Sequence, residues 1–332
     1  MSQKILITGI TGFAGSHLVD YVCNNHPDTN IYGLVRCGSP KINIYNHLDR
    51  VTLIEGDLLD CYSLIDLIED RPQYIFHLAA KTFVKYSFRN PLTSLQDNGI
   101  GTLNLLESIR FLKEKEGYDP IVHICSTSEV YGQVDQDELP ITEKNIMRPM
   151  SPYAVSKACE DMYALQYFYS WNIKTIISRA FSHTGTRSNP IFAISNFCKQ
   201  VAAIELGIQD PTLSVGNLNS TRTFCDVQDI MEAYWLLVTK CSAGEIYNIC
   251  GNRVLKIKDV VDIITSFSSK KINIQVDKDR LRPSDTEVQI PTCDKFQQQT
   301  GWKPKIEFET TIKNLLDYWK DQLQHKRVIN NV

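Results

Sequence analysis

The sequence predicts an α/β protein organised around a doubly wound parallel sheet, with a smaller, less regular α/β part added to it. Three observations carry the prediction. Short runs that are apolar on both faces alternate with longer helical patterns through the first half of the chain. The first run leads straight into three spaced glycines. The run at 121–124 stops at "CSTSEVYG", which sets hydroxyls and a carboxylate where a parallel strand would meet a ligand.

Taken in order, "KILITG" (4–9) reads as the first strand, and an amphipathic helix through Leu18, Val19 and Val22 follows it. "NIYGLVR" (30–36) and "VTLIEGD" (51–57) are the next strands, and Leu64, Ile65, Leu67 and Ile68 mark a helix. "YIFHLAA" (74–80) precedes a long helix carrying Leu103, Leu105, Leu106 and Ile109. "IVHICST" (121–127) and "TIISRA" (175–180) complete the apolar strands. After Ala180 the alternation loosens into a loop, a helix over 192–207, short strands in "DPTLSVGN" and "YNICGN", and helices at 256–268 and 308–324. The expected division is therefore a nucleotide-binding domain over 1–180, also receiving parts of 224–250, and a mainly substrate-binding domain over 181–332.

Composition narrows the function. A chain of 332 residues with 43% hydrophobic and 22% charged residues has the balance of a soluble globular protein. A net charge of −3 gives no reason to expect a nucleic acid or an anionic membrane as partner. No run approaches the roughly 20 apolar residues a bilayer span requires, and the N-terminal run is too short for a signal peptide. The ten cysteines are scattered without a CxxC pair or a histidine cluster, so neither structural disulfides nor a metal site is expected. That usage suits a reduced, cytoplasmic protein.

"TGITGFAGSHL" places Gly9, Gly12 and Gly15 between the first strand and its helix, with Thr11 and Phe13 among them. Gly9 permits a tight turn, Gly12 lets backbone approach a pyrophosphate, and Gly15 allows close helix–strand packing. The helix N-terminus then supplies unpaired N–H groups and partial positive charge. The second strand ends in Arg36, with no acid beside it in the sequence. A guanidinium suits a ribose 2′-phosphate, so NADP is favoured over NAD; a solvated surface charge, or stacking on adenine, is the plainer role for Arg36. Asp57 and Leu58 in "GDL", and Leu78, Ala79 and Ala80 in "LAA", stand at later strand ends, where adenine and ribose contacts lie.

"SPYAVSK" sets Tyr153 and Lys157 four residues apart on one helix face. A free phenol, with pKa near ~10, is a poor base at neutral pH, and a neighbouring ammonium makes it a better one.

Together, TGxxGxxG, "HLAA", "STSEVYG", "SPYAVSK" and "RTFCDVQDI" (222–230) resemble the extended short-chain dehydrogenase/reductase family over nearly the whole chain. Within it the chain is most similar to the GDP-mannose 4,6-dehydratases and the GDP-4-keto-6-deoxy-mannose reductases. The resemblance implies a Rossmann domain, NADP(H), a GDP-sugar substrate and a catalytic core of Thr127, Tyr153 and Lys157. It puts Glu129 where the dehydratases carry their catalytic glutamate. Arg222 and Arg282 match arginines that hold the diphosphate, and Asp285 matches an acid on the ribose. Ser126, Ser128 and Ser182 are expected at the substrate and His183 at the cofactor, while Arg187 could face either. "FSHTG" replaces the "FNHES" of the dehydratases, and Ser182 leaves room for a hexose or a heptose. The overall frame leans toward the reductases, and Glu129 leans toward a dehydratase, where alone it has a role. A dehydratase is the favoured reading, with a reductase, an epimerase or a non-catalytic nucleotide-binding protein as alternatives. A homodimer or homotetramer is expected.

Overall fold

The structure, a computed structural model, describes residues 2–281 and 286–330, the side chains of 326–330 excepted. The expected doubly wound sheet is present. β1 (Lys4–Thr8) leads through the glycine loop into α1 (Phe13–Asn25), and β2 (Asn30–Val35) and β3 (Val51–Glu55) extend the sheet on one side. α2 (Cys61–Leu67) returns the chain to β4 (Tyr74–His77), which pairs with the free edge of β1. After α3 (Val84–Arg89) and α4 (Pro91–Ser94), a π-helical turn (Leu95–Ile100) runs into α5 (Gly101–Glu116). β5 (Ile121–Cys125), α6 (Pro152–Trp171) and β6 (Lys174–Ala180) build the sheet outward on the second side.

β1 thus separates a half that grows through β2 to β3 from a half that grows through β4 to β6. Loops leaving β1 and β4 diverge at that reversal and open a crevice at the C-terminal strand ends. α1 packs on one face of the sheet, and α2, α5 and α6 pack on the other.

The second half of the chain is divided between two cores. β7 (His183–Thr184), α7 (Ala193–Glu205), β8 (Thr212–Val215), β9 (Thr221–Thr223) and β10 (Cys225–Asp226) lead into α8 (Val227–Lys240), which lies beside α1 on the sheet. β11 (Ile246–Ile249) becomes the sheet's seventh strand, parallel to β6. β12 (Val254–Lys256), α9 (Ile257–Ser266) and β13 (Asn273–Val276) return to the smaller lobe; α10 (Asp294–Thr300) packs on the large core, and α11 (Phe308–Asn330) closes the smaller one against α7. The return at 293–302 was not legible in the pattern, because one short helix with Phe296 and Trp302 has no periodicity to reveal it. Asp229 anchors it, accepting from the amides of Lys305 and Ile306 at 2.9 Å each.

Candidate active site

A cleft of about 850 Å³ opens at the strand ends between the sheet and the smaller lobe. Its floor is the glycine loop. Gly9 has φ +71°, and a Cβ there would lie 2.9 Å from the Ala79 backbone. A Cβ on Gly15 would meet the Gly9 carbonyl at 2.2 Å, so only glycine lets α1 start this close to β1. Gly12 caps α1 without a side chain, and no acid stands in the first turn, which leaves N–H donors pointing into the cleft. Thr11 and Phe13 line it, and Phe13 stacks on His183 with ring centroids 5.9 Å apart. Burial lowers the His183 pKa and favours a neutral imidazole. Thr8 ties the two strand ends together, its hydroxyl accepting from the amides of Leu78 at 3.1 Å and Ala79 at 3.2 Å.

At the far end of the cleft Arg36 is exposed beside Ser39 and Asp57, with Leu58, Leu78, Ala79 and Ala80 further along the wall. The absence of a neighbouring acid holds along the chain but not in space: β3 brings Glu55 and Asp57 to the rim of the same shallow pocket as Arg36.

At the other end lies the hydroxyl cluster. Thr127 caps a short 3₁₀ turn (Ser128–Tyr131), its hydroxyl accepting from the Glu129 amide at 3.3 Å. This turn holds Glu129 half-buried on the cleft wall. Across from it, Ser151 caps α6 by accepting from the Ala154 amide at 3.1 Å, and Pro152 occupies the first turn. Tyr153 and Lys157 therefore emerge one turn apart, both buried and both on the cleft. Burial pushes the Tyr153 phenol up to about 12, against the pull of Lys157 and a hydrogen bond with Thr127. Burial opposes the Lys157 charge most strongly, but the Glu160 carboxylate, 2.7 Å from Nζ, together with Tyr153 and Cys125 holds the ammonium above the ordinary lysine range.

The remaining assignments fare unequally. Ser126 is buried beside the Asp161 carboxyl. Ser128 lines the cleft, yet its hydroxyl donates to Gln289 at 3.2 Å. Ser182 is half-buried on the cleft wall. Arg222, on β9, reaches the cleft while its guanidinium donates to the carbonyls of Thr221 at 2.9 Å, Glu287 at 3.3 Å and Thr286. Arg282 and Asp285 lie outside the described residues. Arg187, expected at cofactor or substrate, lies apart from the others. It is not among the residues lining the cleft; its guanidinium pairs with Asp20 and donates to the Asn43 carbonyl at 2.8 Å, behind the glycine loop.

Sequence reading missed several contributors. Asn98 joins the walls, accepting from the Lys81 amide at 2.7 Å and donating to Ser156 Oγ at 2.9 Å. His77 bridges Thr8 and Thr102 at 2.9 Å on each side. Lys81 (3.6 Å from Asp97), Lys85 and Arg280 add positive charge to the cleft. The lysines in "LAAKTFVK", directly after a strand end, were the available signal.

Known proteins share this architecture. The chain is 31% identical to the GDP-6-deoxy-D-mannose reductase of Pseudomonas aeruginosa, over 98% of this chain and all of that one. It is 27% identical to the GDP-mannose 4,6 dehydratase of Cricetulus griseus, over 94% of this chain and 90% of that one. Among solved structures, RMD from P. aeruginosa complexed with NADPH superposes with a TM-score of 0.82 at 30% identity, covering 96% of this chain and 99% of that one. UDP-glucose 4-epimerase from Thermotoga maritima with UDP-glucose gives 0.83 at 26%, covering 97% and 100%. Residues 6–315 match the family described as GDP-mannose 4,6 dehydratase, and with a glycine loop, a Tyr–Lys pair and a flanking glutamate around one cleft, the chain belongs to that family.

Proposed function

We propose that the protein is an NADP-dependent dehydratase that converts a GDP-hexose of the mannose type to its 4-keto-6-deoxy form. The observation that carries this reading is Glu129, a carboxylate two residues beyond Thr127 on the wall of the cleft that holds Tyr153 and Lys157. The donor set suits the dinucleotide: the open N-terminus of α1 for a pyrophosphate, and exposed Arg36 for a 2′-phosphate. The NADPH-bound P. aeruginosa relative supports the same choice.

In this reading Tyr153, as phenolate, takes the proton of the C4 hydroxyl while Thr127 hydrogen-bonds that oxygen. Lys157 stabilises the phenolate. Bound NADP supplies the hydride acceptor for C4 and the hydride returned to C6. The C4 ketone acidifies the proton on C5, and Glu129 removes that proton and protonates the departing C6 hydroxyl, which leaves as water. A reductase of a GDP-4-keto-6-deoxy sugar is the second reading. It is favoured by the higher identity to the P. aeruginosa reductase than to the hamster dehydratase.

Incubation with GDP-mannose separates the two. The dehydratase forms a 4-keto-6-deoxy product without added reductant and incorporates solvent deuterium at C5. Glu129→Gln should then abolish product and deuterium uptake while C4 oxidation persists. A protein that consumes NADPH with the keto sugar yet never dehydrates a GDP-hexose is the reductase.

We further propose a cytoplasmic dimer or tetramer. All ten cysteines remain thiols. Val155, Met162 and Tyr169, seven residues apart along α6, are 45%, 49% and 75% exposed, an apolar stripe that a second copy would cover. Light scattering after chromatography should give at least twice the chain mass, and Met162→Glu should lower it.

A further inference from the structure

Glu160 is a buried acid that the proposed chemistry does not use. Its side chain is 0% exposed, and one oxygen accepts from Lys157 Nζ at 2.7 Å. The other oxygen, Oε1, has no hydrogen-bond partner among the described residues. Residues 153, 157 and 160 share one face of α6, so the ammonium sits between the phenol one turn before it and the carboxylate one turn after it. A buried carboxylate with half its hydrogen-bonding capacity unmet is costly. The pair is also unnecessary for holding the helix, since Ser151 and Pro152 already start it.

We infer that Glu160 is a positioning residue that acts through Lys157 to set where Tyr153 ionises. Two effects follow from one contact. The carboxylate keeps Lys157 protonated and fixed beneath Tyr153, and its negative charge offsets part of the field by which the ammonium stabilises phenolate. Burial pushes the Glu160 carboxyl up to about 7 against the pull of Lys157, so the charge is present above neutral pH, where the phenolate is needed.

Glu129 from the 3₁₀ turn and Lys85 from α3 line the same cleft, and other charges near the pair have partners of their own. Asp161 is the next residue, and Arg179 from β6 neutralises it at 2.8 Å. His77 from β4 and His123 from β5 are pushed down to about 3, chiefly by burial, and stay neutral. Burial holds the Cys125 thiol, also from β5, above its usual range. On the helices packed against α6, Glu107 is held by Arg110 and Tyr167, and Asp97 is paired with Lys81. Among the described residues, Lys157 is the charged side chain hydrogen-bonded to the Glu160 carboxylate.

This inference rests on Tyr153 being the general base. The test is a pH titration of the NADP-loaded protein, following the near-ultraviolet tyrosinate band and isolating Tyr153 by subtracting Tyr153→Phe. It is paired with the pH profile of kcat. In Glu160→Gln both the Tyr153 midpoint and the Lys157-dependent alkaline limb should move to lower pH, by about 1 unit. A merely structural role would reduce the rate without moving either. Glu160→Asp keeps the charge but retracts it, and should move both the same way by less; it carries the test if the glutamine variant does not fold. A Tyr153 band that is present but unmoved overturns the role of Glu160 alone. The absence of any Tyr153 band removes the assignment of Tyr153, and this inference with it.

Discussion

The two walls of the cleft are built in different ways. The sheet wall is made of strand ends and helix starts: the glycine loop after β1, Leu78–Ala80 after β4, the 3₁₀ turn after β5 and the first turn of α6. Most groups there are carried by backbone within a few residues, with longer ties such as those from Thr8 to the end of β4 and from Ser128 to Gln289. The opposite wall is assembled from α7, β9, the Arg280 segment and the loop after β6. Its cations lean on distant partners as well as local ones: Arg222 on the Thr221 carbonyl and on carbonyls more than sixty positions away, Arg280 on Asp277 at 3.3 Å and on Ser214 and Asn196 at 2.8 Å each. A wall set by local backbone can aim a proton-transfer group within a fraction of an ångström. A wall set by side chains from four segments can vary its substrate while the chemistry opposite stays fixed.

The largest losses should come from the sheet wall. Tyr153→Phe removes the proton acceptor and should lower kcat by about 10²–10⁴ with little change in substrate KM. Thr127→Val should cost less, because it removes a hydrogen bond rather than a base. A Tyr153→Phe enzyme with near-normal turnover would move the proton chemistry elsewhere.

The next effect concerns the cofactor end of the same wall. Arg36→Ala should weaken NADP(H) binding about 10–100-fold, the worth of hydrogen bonds to a charged group, and leave NAD(H) binding nearly unchanged. Calorimetry with both dinucleotides measures the ratio. Glu55 and Asp57 at the same rim make the outcome decisive. If NAD binds more tightly in the wild type, those acids rather than Arg36 govern the pocket.

How far the sequence revealed each wall follows from the same contrast. The glycine triplet, the Thr127–Glu129 cluster and the Tyr153–Lys157 spacing lie within single turns, so their geometry is written locally. Even the Lys157–Glu160 pair could have been read from its i, i+3 spacing. Arg187 could not. Its partners, Asp20 and Asn43, are more than 140 positions away, and nothing near "HTGTRSNP" points to them. The role of Asn98 as a tie between Lys81 and Ser156 is hidden in the same way, as is the bond from Ser128 to Gln289.

A smaller and more global effect should appear in stability against pH. His77 and His123 are pushed down to about 3 and His17 to about 4, in each case chiefly by burial. Their unfolded forms take up protons below about 6.5 while the folded forms do not, so stability is lost as pH falls from 6.5. Glu160 opposes this: its folded pKa of about 7 lies above the usual 4.5, and between those values it favours the folded state as pH falls. Burial also lowers His26 and His183, which adds to the loss, and raises Asp161 and Asp226, which join Glu160; the histidines outnumber the carboxyls, so the melting temperature should drop from pH 7 to pH 5. A flat profile would mean that the histidines protonate without unfolding, and that the core behind β4 and β5 is open to water.

The smallest effect, and the one that most sharpens the comparison, is expected at Arg187. If it gripped substrate, Arg187→Ala would raise KM about tenfold or more. Placed as it is, with Asp20, His17 and the Asn43 carbonyl, it clamps the 42–47 turn and the 185–189 loop onto α1. The variant should therefore leave KM and kcat within about twofold and lower stability by about 1–3 kcal/mol, the cost of removing charged hydrogen bonds in a half-buried site. The backbone gives a second handle. Arg187 has φ +64°, a left-handed conformation that a side chain adopts at a cost and glycine does not. Arg187→Gly should lose the same bonds as Arg187→Ala but recover part of the loss, so it should melt at the higher temperature of the two. Equal melting points would mean that the loop relaxes once the guanidinium is gone. A tenfold rise in KM in both variants would return Arg187 to the substrate wall.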